Sequence, residues 1–534
     1  MSQTFRVLIA EPLAPRAHEI LEDQEGFEVF DHTSSSREEI LEAVTTADAL
    51  IVRSGTRVDE ELLGAGEMLK MVARAGIGVD NVDLEAASMR GILVVNAPDG
   101  NVITTAEHTI AMMFSLARKI PSAVSSLKGG KWERSRFVGS ELSSKTLGVV
   151  GMGRVGSQTA TFARNLGMNV LAYDPYISAE VLSQRGVNPV DFEELLAKSD
   201  YITLHVPKNT ETGNLIGAAE IARMRDGVRL INCARGGLID EMALAEALDS
   251  GKVGGVAVDV YQQEPPDPND LLIGRDDVVC TPHLGASTAE AQENVAVSVA
   301  KQVVAYLTDG VVGHAVNLPS LSPEMLEQIG PHLDLADRLG DFLAQLAGGG
   351  LQTLEVVYGG SIDMPMRALA ASAIKGMLGR FLSSVRVNMV NGLLLAKERG
   401  IEVRTTTQTE NLLYTDLIEL RVKTDSGERS VAGTFLRKND PRIVRIDDYS
   451  VDVALRGYLL IFRNEDRPGM IGKIGTLLGN HNINIAGMQL GRVWQHDMAV
   501  AVLILDDPVP EPVMEGVRAI PHVYDACLVR LGFS

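Results

Sequence analysis

The chain is short of cysteine, of net positive charge and of long apolar runs, and each shortage removes a class of protein. Cys233, Cys280 and Cys527 are the 3 cysteines in 534 residues, too few and too scattered for a disulfide framework or a four-ligand metal site. A reducing, cytoplasmic setting is therefore expected, with no metal. Lys and Arg number 49 against 70 Asp and Glu, a formal net charge of −21. This balance argues against nucleic acid or an anionic membrane as the main partner, and an anionic ligand would need its positive charge gathered locally. No apolar run approaches the ~18 residues of a membrane span. The opening MSQTFRVLIAEPL enters an apolar strand-like run without a basic region and a long apolar stretch, so secretion is not signalled.

What is present is a chain of ordinary globular composition, 45% apolar and 22% charged, for which about three to four domains are expected. FRVLIAEPL, DALIVRSG, KMVARAGIG and ILVVNAP read as buried parallel strands, with SREEILEAV a capped helix between the first two. TTAEHTIAMMFSLARKI reads as a connector helix leaving this first layer. From about 145 to 285, TLGVVG, NVLAYD, YITLHVP, VRLINCA, GVAVDV and VVCTPH alternate with helical segments, as in a doubly wound sheet whose ligands sit outside the strand carboxyl ends. STAEAQENVAVSVAKQVVAYLTDG would return to the first layer. The expected division is a discontinuous substrate domain (1–100 and 286–316), a Rossmann domain inserted in it (101–285), an α/β intervening domain (317–453) and a ferredoxin-like βαββαβ module (454–534).

Gly151-Met-Gly153-Arg-Val-Gly156 follows a strand and opens a helix, and Asp174 ends the next strand. The glycines allow a tight turn, close approach of a pyrophosphate and close helix–strand packing, while the carboxylate suits ribose hydroxyls and repels a 2′-phosphate. NAD is expected over NADP. Arg235, Glu264 and His283 follow three successive strands of the same layer. A histidine exchanges protons near neutral pH, a carboxylate fixes its ring, and an arginine holds a substrate carboxylate, which is the set that alcohol oxidation by hydride transfer needs. Arg53-Ser54, Arg74, Asn101 and the stretch Lys131 to Arg136 put cations and donors on loops and strand ends, as a phosphate would require. Trp132 among those charges reads alternatively as a subunit contact.

Through VVGMGRVG, INCARGGLIDEMAL, VDVYQQEPP and CTPHLGASTAEAQ, residues 5 to about 316 resemble the D-isomer-specific 2-hydroxyacid dehydrogenases. More narrowly, ARAGIGVDNVD, NAPDGNVITTAEHT and the C-terminal layout resemble the long-form members that end in an intervening and an ACT domain. The resemblance implies NAD-dependent oxidation of 3-phosphoglycerate to 3-phosphohydroxypyruvate, with Arg235 as anchor, His283 as acid/base and Glu264 as its partner. It adds Arg154, Val155, Thr210 and Cys233, then Asp259, His283 and Gly285, as cofactor contacts. Arg53, Ser54, Arg74 and Asn101 join Arg235 and His283 as substrate contacts. In the terminal module it implies L-serine as an effector held by Asn464, Asp466 and Asn484 between two copies, in a homodimer or homotetramer. Relatives often carry His or Tyr at the position of Asn464. Reduction of another 2-oxo acid (glyoxylate, hydroxypyruvate, 2-oxoglutarate) is the alternative enzymatic reading. An NADH-sensing binding protein is the reading from a different class.

Overall fold

The computed structural model describes residues 4–267, 269–318, 323–382, 386–408, 414–437, 440–492 and 498–532. Five parallel strands form the first sheet, in the order Phe27–Asp31, Phe5–Ile9, Ala49–Val52, Met71–Arg74, Leu93–Asn96. Helices cover both faces, so a central strand such as ALIV is buried at every position. The helix Arg37–Val44 starts at a capping box, with Ser36 Oγ accepting from Glu39 N–H and the Glu39 carboxylate from Ser36 N–H. Sequence reasoning missed the strand Phe27–Asp31, whose half-buried FEVFD lies at the sheet edge and has no continuous apolar run.

The connector is two helices, Val102–Arg118 and Ile120–Lys128. Lys119, with φ 54°, takes the left-handed conformation that ends the first and starts the second. Beyond it, seven parallel strands make the second sheet: Val278–Cys280, Val253–Val258, Val228–Asn232, Tyr201–Leu204, Thr146–Val150, Asn169–Tyr173, Asn188–Pro189. The two-residue last strand was not legible. Winding reverses between Thr146–Val150 and Tyr201–Leu204, which opens a crevice at their carboxyl ends. The helix Ala289–Asp309 then packs back on the first sheet, with Val295, Val299 and Val303 against Val7, Ile9 and Ala73.

In the C-terminal half a six-stranded sheet runs Glu402–Gln408, Leu351–Gly359, Leu417–Thr424, Gly427–Arg437, Asp440–Ile446, Tyr449–Ala454, with only the first pair parallel. Neither the strand Leu351–Gly359 nor the helix Gly392–Glu398 was legible in the sequence. The last four strands form the βαββαβ sheet, in the order Ile485–Arg492, Met498–Leu505, Gly457–Glu465, Val523–Leu531. One face, with Leu460, Phe462, Ala501 and Leu503, packs on its own helices. The other, with Leu459, Ile461, Val500, Val502, Val529 and Leu531, shares a core with Leu335, Leu339 and Phe342 of the helix Pro323–Ala347. Among the described residues no helix is long and apolar enough to cross a membrane.

Candidate active site

The glycine turn sits at the crevice. Gly151 has φ 92°, a conformation only glycine takes readily, and a Cβ on Gly156 would lie 2.0 Å from the Gly151 carbonyl oxygen. A Cβ on Gly153 would meet nothing within 4 Å, so the first turn of the helix Arg154–Asn165 faces open space with its N–H groups free for a pyrophosphate. Asp174 accepts from Met152 N–H at 2.8 Å and Tyr176 N–H at 2.9 Å. Each carboxylate oxygen keeps a further lone-pair site for a ribose hydroxyl. These residues fit NAD, and the cofactor's contribution when bound is to accept a hydride.

Between the two sheets lies a cavity of about 580 Å³ lined by Arg53, Ser54, Arg74, Asn101, Arg235, Glu264 and His283, and by Val155, Cys233 and Gly285. His283 Nδ1 lies 2.6 Å from Glu264 Oε2, and Glu264 Oε1 accepts from Tyr261 N–H at 3.1 Å. The hydrogen bond that His283 donates to Glu264 pushes the imidazole up, against the effect of its burial; Asp259 adds to the rise and Arg235 opposes it. Burial raises the Glu264 carboxyl, but bonds from His283 and Tyr261 outweigh it and hold it below its ordinary range. With Nδ1 engaged, Nε2 is the ring nitrogen left free to exchange a proton.

Arg235 crosses the crevice: its Nε donates to Asp80 Oδ2 at 3.0 Å and its Nη1 to the Ala234 carbonyl at 2.6 Å. A Cβ on Gly78 would lie 2.1 Å from Arg235 Nη2, so the loop glycine makes room for the guanidinium. Arg74 is pushed down to about 10 by burial and by the Arg235 charge. Its Nε and the Oδ1 of Asn101 are sealed from solvent without a partner among the described residues, an arrangement that costs free energy until a ligand satisfies it. Glu11, which sequence reasoning missed, accepts from the backbone N–H of Arg53, Gly55 and Thr56 and so fixes the Arg53-Ser54 loop.

Two other predicted contacts, Arg154 and Thr210, stand apart from the cavity. Arg154 Nε pairs with Asp99 at 2.9 Å, and Thr210 is exposed on a loop outside the cavity. Burial pushes the Cys233 thiol up to about 12, so it stays neutral. Asp259 is fully buried, its carboxylate held by Thr281, Leu284 N–H and Gly285 N–H at 2.6, 2.7 and 2.8 Å. In the terminal module Asn464 is buried, Asp466 pairs with Arg492 Nε at 3.1 Å, and Asn484 donates to Asp506 at 2.6 Å. Among the described residues no hydrogen bond links these three.

A dinucleotide turn opening onto a histidine–carboxylate pair and an arginine is the layout of an NAD-dependent oxidoreductase of hydroxy acids. Residues 110–285 match the D-isomer specific 2-hydroxyacid dehydrogenase NAD binding domain, 328–447 the D-3-phosphoglycerate dehydrogenase intervening domain, and 458–522 the ACT domain. The D-3-phosphoglycerate dehydrogenase of Archaeoglobus fulgidus is 44% identical over 99% of this chain and 100% of the relative, and that of Bacillus subtilis 39% over 99% and 100%. Among solved structures, a D-lactate dehydrogenase from Aquifex aeolicus complexed with NAD and lactic acid is similar with TM-score 0.52 and 31% identity, over 59% of this chain and 100% of that one. The chain belongs to the D-3-phosphoglycerate dehydrogenase family.

Proposed function

We propose that the protein oxidises 3-phospho-D-glycerate to 3-phosphohydroxypyruvate with NAD, the entry step of serine synthesis, in the cytoplasm. The observation that carries the reading is the pair of sealed, unpartnered atoms, Arg74 Nε and Asn101 Oδ1, in a wall shared with Arg53 and Arg235. Three guanidinium groups around one small cavity, in a chain of net charge −21, suit a substrate with a carboxylate at one end and a phosphate at the other. Arg235 anchors the carboxylate and orients the carbinol carbon toward the nicotinamide site. Arg53, Ser54, Arg74 and Asn101 receive the phosphate. His283 Nε2 takes the hydroxyl proton, and Glu264 stabilises the imidazolium that forms. Gly151, Gly153, Gly156 and Asp174 hold the cofactor.

Initial-rate NADH formation with 3-phospho-D-glycerate, D-glycerate, glycolate, D-lactate and 2-hydroxyglutarate tests the reading. The phosphorylated acid should give the highest kcat/KM; a higher value for any unphosphorylated acid overturns it.

The C-terminal half supports regulation by a small molecule, and we assign L-serine as the effector, bound near Asp466 and Asn484 where two ACT modules meet. Two copies meet through the connector: Leu127, Trp132 and Val138 are 58%, 76% and 72% exposed on one stretch of chain, and large exposed apolar side chains in sequence mark interfaces. Sedimentation of the full chain should show a dimer or tetramer; a monomer at assay concentration removes the shared effector site.

A further inference from the structure

The loop that carries His283 is held in an unfavourable conformation. His283 has φ 54°, the left-handed region that a side chain with a Cβ occupies only when its surroundings force it. The force comes from one buried carboxylate. Asp259 takes the Thr281 hydroxyl, Leu284 N–H and Gly285 N–H, so residues on both sides of His283 are tied to the same group. Gly285 permits this approach, since a Cβ there would stand 3.2 Å from Asp259 Oδ2.

All three of those donors belong to the loop itself. A fourth contact comes from elsewhere: His108 Nε2 is hydrogen-bonded to Thr281 Oγ1 at 3.3 Å and lies within ion-pair distance, 3.2 Å, of Asp259 Oδ1. His108 is on the connector helix Val102–Arg118 and does not line the cavity. Thr104, on the same face one turn earlier, has its hydroxyl 3.3 Å from that of Thr288. The same helix begins after Asn101, a residue of the substrate wall. Substrate wall and catalytic loop are thus fastened to one rigid rod.

We propose that His108 is a positioning residue for the acid/base histidine: by bonding the Thr281 hydroxyl and standing against Asp259 from the connector helix, it fixes the carboxylate that holds the left-handed backbone of His283. The inference rests on His283 being the acid/base. Its consequence is that a side chain outside the cavity governs turnover without touching substrate or cofactor.

The test uses the full-length assembled protein with His108→Leu, which keeps the bulk and removes the donor, and His108→Gln, whose amide reaches as far as Nε2. His108→Leu should lower kcat about 10-fold, the scale expected of a sub-ångström misplacement of a reacting group. KM for 3-phospho-D-glycerate and the NADH dissociation constant should stay within about twofold. The acid limb of the kcat profile should move to lower pH, because a loosened loop weakens the Glu264 bond that raises His283. His108→Gln should restore both the rate and the limb. Thr281→Val, which removes the hydroxyl donor at constant shape, should reproduce His108→Leu, and it serves as the probe if that variant does not fold. Unchanged kcat in His108→Leu, equal loss in His108→Gln, or a lower rate with the limb unmoved each overturns the proposal. If His283→Ala loses turnover while His108→Leu keeps it, the clamp fails and the acid/base assignment stands. If His283→Ala keeps turnover, the assignment itself fails.

Discussion

In the catalytic half, Arg235, Glu264 and His283 stand beyond the carboxyl ends of parallel strands, and part of the charge around them is left without a protein partner. In the C-terminal half the charges lie along antiparallel strands and neutralise one another. Glu419, nearly buried, takes Arg421 at 2.9 Å and Arg445 at 2.6 Å, and Arg429 bonds both Asp447 and Asp525. The contrast separates two uses of an ion in a folded chain. A paired charge on a sheet face specifies packing and register, whereas Arg74, half-buried with its Nε sealed and without a hydrogen-bond partner, keeps a donor that a ligand is proposed to satisfy.

The largest difference between the two halves is expected at His283. His283→Ala should lower kcat by ~100- to 10,000-fold while leaving the melting of the C-terminal half unchanged, as checked by initial rates beside calorimetry. Next is Val529→Asp, which places a charge in the core shared by the terminal sheet and the helix Pro323–Ala347. A buried, unpaired carboxylate costs several kcal/mol, so the C-terminal transition should drop by several degrees. Catalysis below that transition should be retained and any serine response lost; a parallel loss of kcat would show that the halves are not separable. Glu264→Gln comes third, with roughly a 10-fold fall in kcat. His283 in the folded protein is raised by Glu264, so its neutral, proton-accepting form is lost as pH falls through a value above the ordinary one of about 6.5. Removing the carboxylate should move that limb to lower pH, and an unmoved limb assigns it to another group. The smallest effect is expected of Asp174→Ala, which should narrow the preference for NAD over NADP by a few-fold, read as the ratio of kcat/KM values.

The shared core also governs how the terminal module is dissected. Six apolar side chains of its sheet are buried against the preceding domain, worth roughly 9–18 kcal/mol at ~1.5–3 kcal/mol each, comparable to or above the whole stability of a domain. A chain ending near residue 453 would therefore expose the intervening core, and point variants are the sounder probe of regulation.

Much of the catalytic half was legible because its chemistry is written locally. Glycines at fixed spacing, an acid ending the next strand, and Arg235, Glu264 and His283 just past apolar runs all carry their meaning within a few residues. Arg53, Arg74 and Asn101 stood out by charge and loop position, and the structure brings them to one cavity. Glu11, Asp80 and His108 were not singled out. Each acts on residues far along the chain, Glu11 on the loop at Arg53, Asp80 on Arg235 and His108 on Asp259, and no periodicity reports such a partner. The ACT sheet was legible as strands, yet nothing in its alternation tells that both faces are buried. An alternating strand reads the same whether its second face meets water or another domain.

The central claim is that the arginine wall selects a phosphorylated hydroxy acid. The direct measurement is the ratio of kcat/KM for 3-phospho-D-glycerate to that for D-glycerate, with NAD, in the unmodified protein and in Arg74→Leu. A preference of at least ~100-fold, on the scale of a lost charge-assisted pair, should collapse toward unity in the variant through KM for the phosphorylated acid. Equal efficiencies in the unmodified protein, or a ratio unmoved by Arg74→Leu, would contradict the account.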